Sequence, residues 1–303
     1  MSVFKGSGVA LITPFKLDSK GNSVVDYDTL YKLLDFHLEN GTDAIIVCGT
    51  TGEASTMTKK EHIEIIKKCV NYVNGRLPII AGTGSNNTNT AVKLSQRAEE
   101  VGADALLCVT PYYNKTNQDG LKLYYKRIAD SVDIPVIMYN VPSRTGLNIK
   151  PETAIDIAKD NENIVGIKEA SGNIDNVIKL NNANVLDIYS GNDNQIYEIM
   201  NNGGIGVISV LANIYPNIVH DMVMEYLNGN IGYSYIMQED AMDLIDNLFS
   251  DVNPIPVKKA MEYLNMNSGI LREPLIELSE EKTKTLVKSI GNFNKKNRYW
   301  FFL

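Results

Sequence analysis

The chain has 303 residues, 44% of them hydrophobic and 21% charged, enough apolar material for a large buried core. Its formal net charge of -7 excludes a general affinity for nucleic acid, which needs a basic face, so an anionic substrate has to be met by locally placed cations. No run of about 18 uncharged apolar residues occurs, which excludes an ordinary membrane-spanning helix, and Met1 to Gly6 lack the pattern of a secretory leader.

Taken in chain order, eight short runs rich in Val, Ile and Leu predict strands: Val9 to Ile12, Ala44 to Cys48, Pro78 to Ala81, Ala105 to Val109, Pro135 to Tyr139, Ile164 to Lys168, Val185 to Tyr189 and Gly206 to Val210. The runs are continuous rather than alternating, as expected of strands covered on both faces. Between them lie stretches of helical periodicity, Tyr27 to Glu39, Lys59 to Val73, Thr88 to Val101, Asp119 to Ser131 and Pro151 to Lys159. Thr58 with Glu61 has the spacing of a capping box, and Pro151 suits the first turn of its helix.

Eight βα units within about 230 residues match a TIM (β/α)8 barrel, for which about 250 residues is typical. A doubly wound open sheet would need a glycine fingerprint after its first strand, and Thr13-Pro14-Phe15 offers none. After Asn228 strand candidates cease, and Ile231 to Phe249, Pro256 to Leu264 and Ser279 to Asn294 read as helices. The expected division is a barrel over residues 1–230 carrying the active site and a C-terminal helical region over 231–303. Cys48, Cys69 and Cys108 are odd in number and lie in apolar or helical stretches, which predicts buried thiols, a reducing compartment and a cytoplasmic protein. His37, His62 and His220 lack metal-ligand spacing and predict packing or surface roles, and no metal site is expected.

In such a barrel the carboxyl ends of the strands build the site. The second run ends in Gly49-Thr50-Thr51-Gly52-Glu53, whose hydroxyls and loop amides suit a carboxylate, although the same letters also describe a tight turn. The third leads to Gly82-Thr83-Gly84, a weak phosphate signal that a turn explains equally well. The fourth runs into Pro111-Tyr112-Tyr113-Asn114, whose tyrosines could pack an interface, and the fifth ends in Tyr139 with Arg144 five residues on, a phenol able to relay protons and a guanidinium able to hold a carboxylate. The sixth ends in Lys168. A lone strand-end lysine usually snorkels to water, but one held in an apolar run has its pKa pushed down and becomes an amine nucleophile of the Schiff-base kind.

Together, in order, these motifs resemble the dihydrodipicolinate synthase and N-acetylneuraminate lyase family of class I aldolase-like barrels. The resemblance spans nearly the whole chain, through Thr13-Pro14-Phe15, Gly49 to Glu53, Pro111 to Asn114, Tyr139 to Gly146, Gly166 to Gly172 and Gly206 to Val210. Tyr139-Asn-Val-Pro-Ser-Arg-Thr-Gly with Lys168-Glu-Ala-Ser-Gly is similar to the synthase branch. The resemblance implies condensation of pyruvate with L-aspartate 4-semialdehyde to 4-hydroxy-tetrahydrodipicolinate, in the diaminopimelate route to lysine. Lys168 would form the imine with pyruvate, and Thr51 would bind the pyruvate carboxylate. Tyr139, Thr50 and Tyr113 would relay protons, Tyr113 from a neighbouring subunit. Arg144 would receive the carboxylate of the second substrate, and the backbones of Gly191 and Ile208 would face the bound substrates. No metal or organic cofactor is implied, and the implied assembly is a homotetramer built as a dimer of tight dimers.

Two other readings stay open: cleavage of N-acetylneuraminate or a 2-keto-3-deoxy sugar acid through the same imine, and a silent barrel that senses pyruvate or an amino acid. The sequence departs from the family in three places. Thr116 replaces a common proline after Asn-Lys. Lys59 and Thr90 stand where lysine-regulated members resemble one another in having histidine and glutamate, which predicts little inhibition by lysine. The tail from Lys295 to Leu303, basic then aromatic and holding the only Trp, has no family counterpart and predicts a frayed or self-docked terminus.

Overall fold

A computed structural model describes residues 2–267 and 269–297. The aromatic end of the tail, 298–303, lies outside the described residues. The strands are β1 (Gly6–Ala10), β2 (Phe15–Leu17), β3 (Ser23–Val25), β4 (Ala44–Val47), β5 (Ile79–Gly82), β6 (Ala105–Val109), β7 (Val136–Asn140), β8 (Ile164–Glu169), β9 (Asp187–Ser190) and β10 (Gly206–Ser209). The helices are α1 (Tyr27–Glu39), α2 (Lys59–Val73), α3 (Thr88–Glu100), α4 (Gln118–Ala129), α5 (Pro142–Thr145), α6 (Pro151–Asp160), α7 (Ile174–Ala183), α8 (Ile196–Asn201), α9 (Pro216–Leu227), α10 (Ile231–Leu248), α11 (Ile255–Tyr263) and α12 (Glu280–Lys296).

Eight of the strands close a parallel barrel in the order β1-β10-β9-β8-β7-β6-β5-β4, as the eight apolar runs predict. Alternation along each strand divides its apolar run between two cores. On β7, Val136 and Met138 join the outer core beneath the helices, while Ile137 and Tyr139 join the lumen of the barrel. On β4, Ile45 and Val47 face out, and Ala44 and Ile46 face in. A single continuous stretch of Val and Ile therefore serves both layers. The lumen is floored by Tyr189, stacked on Phe4 at 4.5 Å between ring centres and donating its hydroxyl to the Phe4 carbonyl at 2.9 Å.

The first strand starts at Gly6, three residues ahead of its apolar run. Gly6-Ser7-Gly8 reads as a turn by composition, yet a side chain at Gly8 would lie 2.7 Å from Ile46 Cδ1, so the crowded lumen demands glycine within a strand. The antiparallel hairpin β2–β3 has no counterpart among the sequence expectations. Its strands are three residues each and largely uncovered, and the turn is held by Asp18, which accepts from Lys20 N and Asn22 N at 2.8 Å each. Gly82 and Gly84 are explained by close backbone approach: Cβ atoms there would lie 2.4 Å from Cys48 O and 2.3 Å from Val109 N.

Helix boundaries follow the side-chain chemistry. The Thr58 and Glu61 capping box opens α2 with both hydrogen bonds in place, and Pro151 occupies the first turn of α6. α10 packs on α9 and α12, and α11 packs on α12, so the C-terminal helices lie against the barrel. The three cysteines are buried and unpaired. His37 and His62 are buried helix residues bonded to Thr42 Oγ1 and Gly82 O, and His220 bonds Asp43 Oδ2 at 2.8 Å. Among the described residues no helix is long and apolar enough to cross a membrane.

Candidate active site

Because the barrel strands are parallel, their carboxyl ends meet on one rim, where a cavity of about 530 Å3 opens. It is lined from the strand ends by Gly49, Thr50, Thr51, Tyr139, Arg144, Lys168 and Gly191.

Register explains the central pair. Tyr139 on β7 is the strand partner of Lys168 on β8, so both point into the lumen at one level, and Lys168 Nζ lies 4.5 Å from the centre of the Tyr139 ring. Lys168 is 5% exposed. Burial drives its pKa down to about 8; Asp193 opposes the shift, and Arg144 adds to it. Near neutral pH such a lysine carries far more free amine than one with the ordinary value of 10.5. Burial also raises the Tyr139 pKa, against the pull of the Arg144 charge and of the Thr50 hydroxyl that hydrogen-bonds it. Gly191 leaves the space that the lysine needs: a Cβ there would lie 2.6 Å from Ala170 Cβ and 3.2 Å from Lys168 Cε.

The threonine loop is fixed from three sides. Thr13 Oγ1 donates to Gly52 O at 2.8 Å, and Asn253 Nδ2 donates to Thr51 Oγ1 at 2.9 Å. Glu53, fully buried, forms a 2.5 Å ion pair with Lys258 of α11 and accepts from Arg272 N at 3.0 Å. Thr51 is buried by these contacts, while Thr50 faces the cavity.

Two predicted residues stand apart. Tyr113 is 91% exposed, has a left-handed φ of 68°, and does not line the cavity of its own chain. Ile208 is buried in the lumen cluster that also holds Tyr139 and Tyr189, and it is not among the residues lining the cavity. Conversely, Asn253 and Asp193 belong to the site without having been singled out in the sequence. Arg144 Nη2 donates to Asn253 O at 3.2 Å, so Asn253 holds both Arg144 and Thr51. Phe249, Asp251 and Val252 line the same mouth, bringing the segment between α10 and α11 over the barrel. Asp193 is buried behind Lys168, and its Oδ2 accepts from Val210 N at 3.0 Å and Leu211 N at 2.8 Å. The signals were faint: Asp193 follows two residues after Gly191 at a strand end, and Asn253 opens an Asn-Pro-Ile-Pro break between two helical stretches.

A buried amine of low pKa beside a phenol, with hydroxyls and a guanidinium on the rim, can form an imine and move protons at the carbon next to it. The model of the Dihydrodipicolinate synthetase family matches residues 3–292. A 4-hydroxy-tetrahydrodipicolinate synthase of Caldicellulosiruptor bescii is 54% identical over 97% of this chain and 98% of its own. That of Clostridium novyi is 50% identical over 98% of this chain and 99% of its own. A dihydrodipicolinate synthase of Acinetobacter baumannii, solved in complex with pyruvate, superposes with a TM-score of 0.91 at 40% identity, covering 96% of this chain and 99% of that one. The chain therefore belongs to the dihydrodipicolinate synthetase family.

Proposed function

We infer that this protein is a 4-hydroxy-tetrahydrodipicolinate synthase, a lyase of lysine biosynthesis that condenses pyruvate with L-aspartate 4-semialdehyde. Relatives of that name at 50% identity and above over nearly the full length favour this activity over sugar-acid cleavage. The observation that carries the chemistry is the burial of Lys168 against Tyr139 in the lining of the cavity.

Lys168 attacks the pyruvate ketone as a free amine, and loss of water gives an imine. The imine draws electrons from the methyl carbon, so one methyl proton can leave and an enamine forms. The enamine attacks the aldehyde carbon of the second substrate; that substrate's own nitrogen, once its ammonium has given up a proton, then attacks the imine carbon and frees Lys168. The electron sink is the imine itself, and the reading asks for no metal or organic cofactor. Thr51 receives the pyruvate carboxylate, with the backbones of Gly191 and Ile208 facing the bound substrates. Tyr139 and Thr50 hand protons between the reacting atoms and the outside. Arg144 takes the carboxylate of the semialdehyde.

Tyr113 completes the relay from a neighbouring subunit, which asks for a homo-oligomer, a tetramer arranged as a dimer of tight dimers. Its 91% exposure, and the fact that it does not line the cavity of its own chain, support this role. Buried unpaired thiols favour the cytoplasm. The test is turnover of pyruvate with aspartate 4-semialdehyde alongside N-acetylneuraminate and 2-keto-3-deoxygluconate. Turnover of the semialdehyde pair alone supports the reading, and cleavage of a sugar acid without it contradicts the reading.

A further inference from the structure

Among the described residues that line the cavity, Asp251 carries the only carboxylate, against two cations, Arg144 and Lys168. The imine chemistry does not use it. Its side chain is about a third exposed, at the mouth rather than the floor. Oδ1 accepts from Val252 N at 2.8 Å, and Oδ2 pairs with Lys282 Nζ of α12 at 2.5 Å. The two contacts keep the acid ionised and leave about half of its roughly four lone-pair directions open. Arg144 is anchored two residues further along the same segment, through Asn253 O. One short stretch of chain thus sets a guanidinium and a carboxylate on the same rim.

We propose that Asp251 binds the α-ammonium of the incoming amino-acid aldehyde while Arg144 binds the carboxylate on the same carbon, so that the rim selects a zwitterionic head group. The inference rests on the reading of the second substrate given above. A keto-sugar acid has no ammonium to offer, and a simple aldehyde acid satisfies Arg144 but leaves Asp251 with Lys282 alone. Selection of this kind comes from an unmatched charge as much as from a matched one. Lys282 competes with the substrate for the same carboxylate, and its side chain is 42% exposed, so it can turn to water when the substrate ammonium arrives.

Steady-state kinetics of the full-length protein separate substrate binding from mere bracing. Asp251→Asn keeps an oxygen for Val252 N and removes the charge. The expected result is a KM for aspartate 4-semialdehyde raised about ten-fold, the size of one charge-assisted hydrogen bond, with the KM for pyruvate unchanged. The inhibition constant of succinate semialdehyde, which lacks the ammonium, should stay the same. Lys282→Met removes the competitor and should lower the KM for aspartate 4-semialdehyde. If Asp251 only braces the loop against α12, both variants raise that KM together; this outcome, or an unchanged KM in Asp251→Asn, overturns the proposal. Failure of the wild-type protein to turn over the semialdehyde overturns the substrate reading and removes this inference with it.

Discussion

Lys168 and Tyr139 are register partners on adjacent parallel strands, and the amine of one lies 4.5 Å from the ring centre of the other, with the lysine 5% exposed. The pairing keeps the amine dry enough to be a nucleophile, and the cost falls on the folded state.

That cost predicts a stability change. In the folded protein Lys168 titrates near pH 8, and in the unfolded chain near its ordinary 10.5. Below about pH 8 the folded state holds an ammonium that the unfolded state keeps in water. As pH rises from 8 towards 10.5 the folded amine is already neutral and the penalty disappears. Lys168→Met should therefore stabilise the folded state, most strongly below pH 8, by an upper bound of about 3 kcal/mol, and raise the thermal midpoint with it, the gain fading by pH 10.5. Calorimetry across that range checks it; a destabilised variant at pH 7 would contradict the assignment of a strained buried amine.

Asp193 raises the Lys168 pKa while clamping the Val210 and Leu211 amides. Asp193→Asn retains an oxygen for the clamp and loses the charge. The pH midpoint for trapping the pyruvate adduct should move down, and the adduct yield at saturating pH should fall because the cationic imine loses its counter-charge. An unmoved midpoint would leave Asp193 a strut only.

Asn253 reaches Thr51 and Arg144 from the far end of the chain. Asn253→Ala should lower kcat/KM for pyruvate about ten-fold through loss of one buried hydrogen bond and of Thr51 alignment. Its folding should be checked by circular dichroism. Full activity in a folded Asn253→Ala would remove the C-terminal segment from the site.

Lysine should inhibit weakly. Lys59 opens α2 in an exposed position, and Thr90 sits in the first turn of α3 with its N–H taken by Asn87 Oδ1 at 3.2 Å. The nearby cleft of about 550 Å3 is lined by Asn86, Asn87, Thr88, Asn89 and Asn114 and offers no carboxylate among the described residues. A ligand ammonium gains no counter-ion there. Half-maximal inhibition at submillimolar lysine would contradict this.

The sequence makes the barrel legible because its periodicity is unbroken: continuous apolar runs for strands buried on both faces, and helices opened by capping chemistry such as Thr58 with Glu61. It hides what depends on neighbours distant in the chain. Gly6-Ser7-Gly8 looks like a turn until Ile46 is seen to fill the space a side chain would need. That Lys168, Tyr139 and the threonine pair meet around one cavity is readable because parallel strand ends share one rim in this architecture. Asn253 is not, since its contact with Thr51 spans 202 positions, and only the packing of α10 to α12 on the barrel brings the two together. Lys258 is hidden for the same reason, paired with Glu53 inside the protein.

The most direct measurement is intact-mass spectrometry after borohydride reduction in the presence of pyruvate, for wild type and Lys168→Ala. A single pyruvate adduct on the wild type that is lost in the variant is the expected result. An adduct that persists in Lys168→Ala, or none on the wild type, would contradict the account of Lys168 as the imine-forming residue.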